Sequence, residues 1–97
     1  MLPNSIHTLI ISMNTNEQTL SIFPLYLHTL ILEEYCNHTL LNLPDSLRIL
    51  KVGYQYNKKL PYIKNLDSLT ISMNYPYPKY TYRLAKEIIY LDYEEDY

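Results

Sequence analysis

One apolar spacing recurs along the whole chain, and it restricts the possible folds more than any other feature. In each copy, an apolar residue is followed four positions later by Ile or Leu, three later by Leu, and two later by another apolar or aromatic residue. Such a register predicts stacked structural repeats. Its five copies are LPNSIHTLII from Leu2, FPLYLHTLIL from Phe23, LPDSLRILKV from Leu43, YIKNLDSLTI from Tyr62 and LAKEIIYLDY from Leu84.

The end of each copy alternates apolar and other residues, which is typical of a short strand with one buried face. About 15 residues separate successive strands, which is enough to carry the chain once around a coil. The sequence therefore predicts a β-rich solenoid of about five coils of 19–22 residues, forming a single repeat domain over 1–97 with a short parallel sheet on its concave face. For the last unit, RLAKEIIYL also fits a helix, and the repeat register favours a strand.

The repeat pattern also predicts the core. Leu2, Ile6, Leu9, Ile11 and their equivalents are expected to point inward, where stacked coils bury them together. A second apolar position is expected to fill each coil from its far side; its members are Leu20, Leu40, Leu60 and Tyr80.

Composition excludes several classes of function. The single glycine, Gly53, rules out phosphate-binding loops and the nucleophile elbow, which need several glycines. The single cysteine, Cys36, excludes an intramolecular disulfide and a multi-cysteine zinc site. With a net charge of −2, nucleic-acid binding is disfavoured, and no apolar run is long enough to span a membrane. We expect an intracellular, cytoplasmic protein without cofactor, metal or enzymatic activity, in which the sequon at Asn37 stays unglycosylated.

The segments IHTLIISMN and LDSLTISMN resemble the leucine-rich repeat, and LPDSLRILKVGYQYNKKL resembles its short FNIP subtype. The resemblance rests on Leu43, Pro44, Ser46, Leu47, Gly53, Tyr54, Tyr56, Asn57 and Leu60. It implies a non-enzymatic module for protein–protein interaction, binding a partner through the concave sheet face. It also implies an alternative, namely the substrate-recognition fragment of an F-box ubiquitin-ligase adaptor whose F-box is absent from this chain.

Two sets of site residues follow from this reading. The resemblance assigns partner binding to strand residues that point away from the core: Thr8, Ile10, Ser12, Thr29, Ile31, Glu33, Ile49, Lys51, Ser68, Thr70, Ser72, Tyr90, Asp92 and Glu94. The consensus asparagine after each strand is expected to be buried and to hydrogen-bond between coils. Its equivalents are Asn14, Tyr35, Gln55, Asn74 and Asp96.

Other clusters have simpler explanations. His7 and His28 share a repeat position, but two ligands are too few for a typical metal site, so surface histidines are favoured. The run of tyrosines from Tyr75 to Tyr82 could stack nucleic-acid bases or present prolines, and packing on the convex side is favoured. The acidic residues 92–96 are expected to cap the last coil. Because no polar cap precedes the first repeat, a further hypothesis is that the chain self-associates through the N-terminal coil or is truncated from a longer repeat array.

Overall fold

A computed structural model describes residues 6–12, 19–34, 36–77 and 85–91. These residues form a parallel β-solenoid of about four turns, and they contain no helix. A five-stranded sheet has the order β1-β3-β5-β6-β7, and a two-stranded sheet pairs β2 with β4. The strands are β1 Thr8–Ile11, β2 Thr19–Leu20, β3 Thr29–Leu32, β4 Thr39–Leu40, β5 Ile49–Val52, β6 Ser68–Ser72 and β7 Glu87–Leu91.

The first four strands of the large sheet pair in the register that the repeat predicts. Leu9 lies opposite Leu30, Leu30 opposite Leu50, and Leu50 opposite Leu69. All pairs are parallel, so each connection must carry the chain back to the same end of the sheet. The apolar spacing of the sequence therefore corresponds to the physical repeat of the solenoid.

The predicted alignment of the fifth strand is wrong by three residues. Ile88, and not Leu91, lies opposite Leu69, and Leu91 lies opposite Ser72. The repeat template favours Leu91, because Ile88 stands three residues before it, whereas only Ala85 stands three residues before Ile88. The segment is a strand, so the helical alternative for the last unit is also wrong. In the observed register Ala85 takes the place that Leu66 holds one turn earlier.

The core consists of the inward residues of the strands together with residues from the returns. Leu30, Leu50 and Leu69 are completely buried, because each has a neighbouring coil on both sides. Leu40 and Leu60 fill the far side as predicted. Tyr62 was expected to point inward, but 77% of its surface is exposed and the adjacent Ile63 is buried instead.

A column of buried side chains ties each return segment to the preceding coil. The Tyr56 hydroxyl donates to the backbone oxygen of His38 at 2.9 Å, and the Tyr75 hydroxyl donates to that of Lys58 at 2.6 Å. The two rings are stacked with centroids 6.3 Å apart. One coil earlier, the Cys36 thiol donates to the oxygen of Ile11 at 3.0 Å. The two hydroxyls and the thiol thus add hydrogen bonds between neighbouring coils, and the Ile11 oxygen also accepts from the backbone N–H of Glu33 at 3.0 Å.

Burial changes the acidity of these groups. Removal from water raises the pKa of the Tyr56 hydroxyl and raises the pKa of Tyr75 to about 12, because an ionised phenolate would be poorly solvated there. Burial likewise raises the pKa of the Cys36 thiol. These side chains are therefore neutral hydrogen-bond donors at neutral pH.

Gly53 allows two coils to approach closely. Its φ is not positive, so it is not required for an unusual backbone conformation. A Cβ at this position would lie 2.7 Å from the Cα of Glu34 and 3.0 Å from the backbone oxygen of Glu33. Contacts this short with backbone atoms do not occur in unstrained structures, so the absence of a side chain sets the spacing between these coils.

Candidate functional site: the outer face of the sheet

The outer face of the sheet is formed by the strand side chains that alternate with core residues. The strand pairing arranges them in rows across neighbouring strands. The first row is Thr8, Thr29, Ile49, Ser68 and Glu87, and the second is Ile10, Ile31, Lys51, Thr70 and Ile89. A third row includes Ser12 beside Glu33, and Ser72 beside Leu91.

Isoleucines give the outer face its apolar character. Ile10 is 54% exposed and Ile89 is 42% exposed, while Ile31 and Ile49 are half-buried. Ile10 and Ile31 are direct neighbours in the second row. Because strands lie about 4.8 Å apart, these two side chains form one continuous apolar surface on β1 and β3.

Charged and polar side chains border this apolar surface. The Ser12 hydroxyl donates to a carboxylate oxygen of Glu33, linking the ends of β1 and β3. Lys51 and Glu87 are exposed on the strands beyond. A patch with an apolar centre and a polar border is the usual composition of a protein contact surface.

The short side chains of β6 are less accessible than the repeat pattern suggested. Thr70 and Ser72 are buried, with 5% and 3% of their surface exposed. The Ser72 hydroxyl accepts a hydrogen bond from the backbone N–H of Asn74 at 3.0 Å, whereas the Thr70 hydroxyl has no hydrogen-bond partner among the described residues. In its row Thr70 lies between Lys51 and Ile89, whose side chains are longer, so a partner would contact those two side chains first.

The shifted register of β7 changes the site residues of the last strand. Tyr90 lies opposite Ile71, in the core-facing register, and it does not lie in the row of Ser68. Glu87 and Ile89 occupy the outer positions that the sequence assigned to Tyr90 and Asp92. Ile88 and Ile89 are adjacent and equally apolar, so the sequence does not indicate which of the two faces outward. Asp92 and Glu94 lie outside the described residues.

The predicted turn position does not form a buried ladder. Gln55 and Asn74 are both exposed, and Asn14, Tyr35 and Asp96 lie outside the described residues. The contact between coils is instead made two residues after Gln55. The Nδ2 of Asn37 donates to the Oδ1 of Asn57 at 2.8 Å, and the Oδ1 of Asn37 accepts from the backbone N–H of Asn57 at 2.9 Å. Sequence reasoning missed this pair, although its spacing of 20 residues equals the repeat.

The other clusters contribute no residue to the rows of the outer face. His7 and His28 are exposed, and the Nδ1 of His28 lies 2.9 Å from the hydroxyl oxygen of its neighbour Thr29. Over the described ranges, no three His, Cys, Asp or Glu side chains are grouped as metal ligands would be. Tyr75 is in the core and Tyr77 packs edge-on against it at 5.9 Å, while the rest of the tyrosine run lies outside the described residues.

Comparison with known proteins identifies no relative. No protein-family model, no curated protein and no solved structure matches this chain. Among the described residues there is no helix of the length and apolar character needed to cross a membrane.

Proposed function

We propose that the protein is a non-enzymatic interaction module that binds a protein partner through the outer face of the sheet. The observation that carries this proposal is the exposure of Ile10 beside Ile31 on a regular, hydrogen-bonded sheet. An exposed apolar surface costs free energy in water, and covering it with a partner recovers that cost. Because the strands fix the side chains in position, little conformational entropy is lost on binding.

The dimensions of the face limit the strength of the interaction. Five strands about 4.8 Å apart span roughly 19 Å, and each contributes two or three outward side chains. An area of this size falls at the low end of protein interfaces, below about 1,200 Å² in total. The proposed complex is therefore weak or transient unless a second contact reinforces it.

We further propose that the chain is a leucine-rich-repeat protein of the FNIP subtype with five coils of about 20 residues. The hydrogen bonds of its LPDSL segment support this assignment. The Ser46 hydroxyl lies within hydrogen-bond distance of the backbone oxygens of Leu27 (2.7 Å) and Leu25 (3.2 Å), so the serine of the motif links one coil to the next. Leu47, which follows it, is completely buried.

The N-terminal side of the stack supports a proposal of self-association. Leu9 and Ile11 on β1 are only partly buried, whereas their neighbours Leu30 and Leu32 on β3 are buried. A second copy that packs against β1 would cover this edge. Light scattering that shows only monomer at high micromolar concentration would contradict self-association.

Two charge-introducing variants test the partner site. Ile10→Glu and Ile31→Glu place carboxylates at the centre of the apolar surface, while Ile22→Glu is the matched control, because Ile22 is 81% exposed and lies outside the sheet. The wild-type protein and the variants are immobilised and exposed to lysate of the source cell, and captured proteins are identified by mass spectrometry. We expect a partner that wild type and Ile22→Glu retain and the outer-face variants lose. Identical captured proteins from all four, with unchanged unfolding midpoints, would refute the proposal.

A further inference from the structure

A second surface of the molecule has the features of an anion-binding site. It is a hollow of about 260 Å³ at the amino-terminal ends of β5, β6 and β7. None of its lining residues belongs to the outer face of the sheet, so it is independent of the proposed partner site. The lining residues are Arg48, Tyr62, Ile63, Lys64, Asn65, Leu66, Ala85 and Lys86.

The hollow lies where a core position carries a small side chain. The strand register places Ala85 where Leu66 stands one turn earlier and Leu47 two turns earlier, and both leucines are buried. Alanine lacks the three further carbons of leucine, so the last coil does not fill this position as the others do. Ala85 is accordingly half-buried and forms part of the wall of the hollow.

Three cationic side chains line this hollow, in a protein that has eight in total and a net charge of −2. The Nη1 of Arg48 donates to the backbone oxygen of Asn65 at 3.0 Å, which fixes the guanidinium at the wall and leaves its other N–H groups available for a ligand. Lys86 forms an ion pair with Asp67 at 3.4 Å. Among the described residues neither Arg48 nor Lys64 has an acidic partner, so about two positive charges at the hollow are not compensated.

We propose that this hollow binds the phosphate group of a small phosphorylated molecule. Two uncompensated positive charges match a phosphate monoester dianion better than a carboxylate, and a guanidinium offers the paired N–H geometry that phosphate oxygens accept. The volume lies just below the range of typical small-molecule pockets, so the ligand is a small one. The exposed ring of Tyr62 at the edge offers an apolar contact to the rest of that molecule.

Nuclear magnetic resonance titration of the full chain tests the site with inorganic phosphate, phenyl phosphate and acetate at constant ionic strength. We expect saturable shifts of the Lys64, Asn65 and Lys86 amides with both phosphates, at millimolar or lower concentration, and no saturable shift with acetate. Tighter binding of phenyl phosphate than of inorganic phosphate would support an organic phosphate as the ligand. Absence of a saturable shift with either phosphate, or equal shifts with acetate, would overturn the proposal.

Variants distinguish binding of phosphate in the hollow from nonspecific attraction of anions to the protein surface. Ala85→Leu fills the hollow and should abolish the phosphate shifts while leaving the unfolding midpoint unchanged or higher, because leucine packs in the same position of earlier coils. Lys64→Gln should weaken binding about two- to fivefold, as expected for an exposed charge contact. Lys51→Gln removes an equal charge from the outer face and should not change the affinity. Unaltered binding in Ala85→Leu, or an equal loss in Lys51→Gln, would overturn the site.

Discussion

Replacement of Gly53 by alanine tests how closely the coils are packed, because two physical effects predict opposite signs. Gly53 has no positive φ, so alanine can adopt its backbone conformation. On this ground alone Gly53→Ala would stabilise the protein by about 0.4–1 kcal/mol, since alanine reduces the freedom of the unfolded chain. The added methyl group, however, would lie 2.7 Å from the Cα and 3.0 Å from the backbone nitrogen of Glu34.

The steric effect is expected to win. The three nearest contacts of the added methyl group are all with backbone atoms of the neighbouring coil, so no side chain can rotate away to relieve them. Overpacking of this kind costs about 1–3 kcal/mol, so the net destabilisation is at most about 2.6 kcal/mol and about 1.3 kcal/mol at the midpoints of the two ranges. For a domain of this size the midpoint corresponds to a fall of about 5–10 °C in Tm.

Urea and thermal unfolding followed by circular dichroism provide the measurement. Gly53→Val, which adds a larger group against the same atoms, should destabilise the protein more than Gly53→Ala. Lys51→Ala, two residues before Gly53, is the control: its side chain is exposed, so its effect should stay within about 0.5 kcal/mol. If Gly53→Ala were as stable as the wild type or more stable, the close approach of the two coils at Glu34 would be refuted.

Three further predictions concern the core, the asparagine pair and the buried tyrosines. Leu50→Ala should cost about 2–5 kcal/mol in urea unfolding, because Leu50 is completely buried between two coils, and an unchanged midpoint would contradict the register. Asn57→Ala should cost about 1 kcal/mol by the same assay through the loss of the side-chain hydrogen bond to Asn37, and Asn37→Ala should cost more, because it also removes the acceptor of the Asn57 backbone N–H; equal losses in the two variants would contradict this pairing. Burial raises the pKa of Tyr75 from its ordinary value of about 10 to about 12, so the folded state keeps this proton at a pH where the unfolded chain loses it. Stability from this source is complete below pH 10 and falls as the pH rises towards 12; Tyr75→Phe should flatten that fall in alkaline unfolding curves.

The strand positions could be predicted in those units where only one leucine satisfies the repeat spacing. In the first four units a single leucine satisfies the spacing, and Leu9, Leu30, Leu50 and Leu69 lie in one row. The fifth unit offered both Ile88 and Leu91 at acceptable spacing. The choice between them depends on the length of the preceding return, and a spacing rule that tolerates 19–22 residues cannot fix that length.

Contacts between coils could not be predicted from the same pattern. Which amides pair between coils depends on how each turn closes, so the side-chain contact forms between Asn37 and Asn57 and not at Gln55 or Asn74. Tyr56 and Tyr75 keep the repeat spacing, but the sequence does not show that their hydroxyls reach carbonyl groups in the preceding coil. The rows of the outer face could be predicted over the first four strands of the large sheet only, because every outer position on β7 depends on the shifted register. The burial of Thr70 and Ser72 on β6 could not be predicted, because it depends on the longer side chains of neighbouring strands.

The hydrogen bonds donated by three buried side chains of the returns share one direction along the chain, and that direction bears on synthesis. Cys36, Tyr56 and Tyr75 all donate to backbone oxygens that precede them in the chain, by 17 to 25 residues. A ribosome makes the acceptor first and its donor later, so the carbonyl groups of the newest coil stay exposed to water until the next coil follows. During translation these three hydrogen bonds can therefore form only one coil behind the growing end.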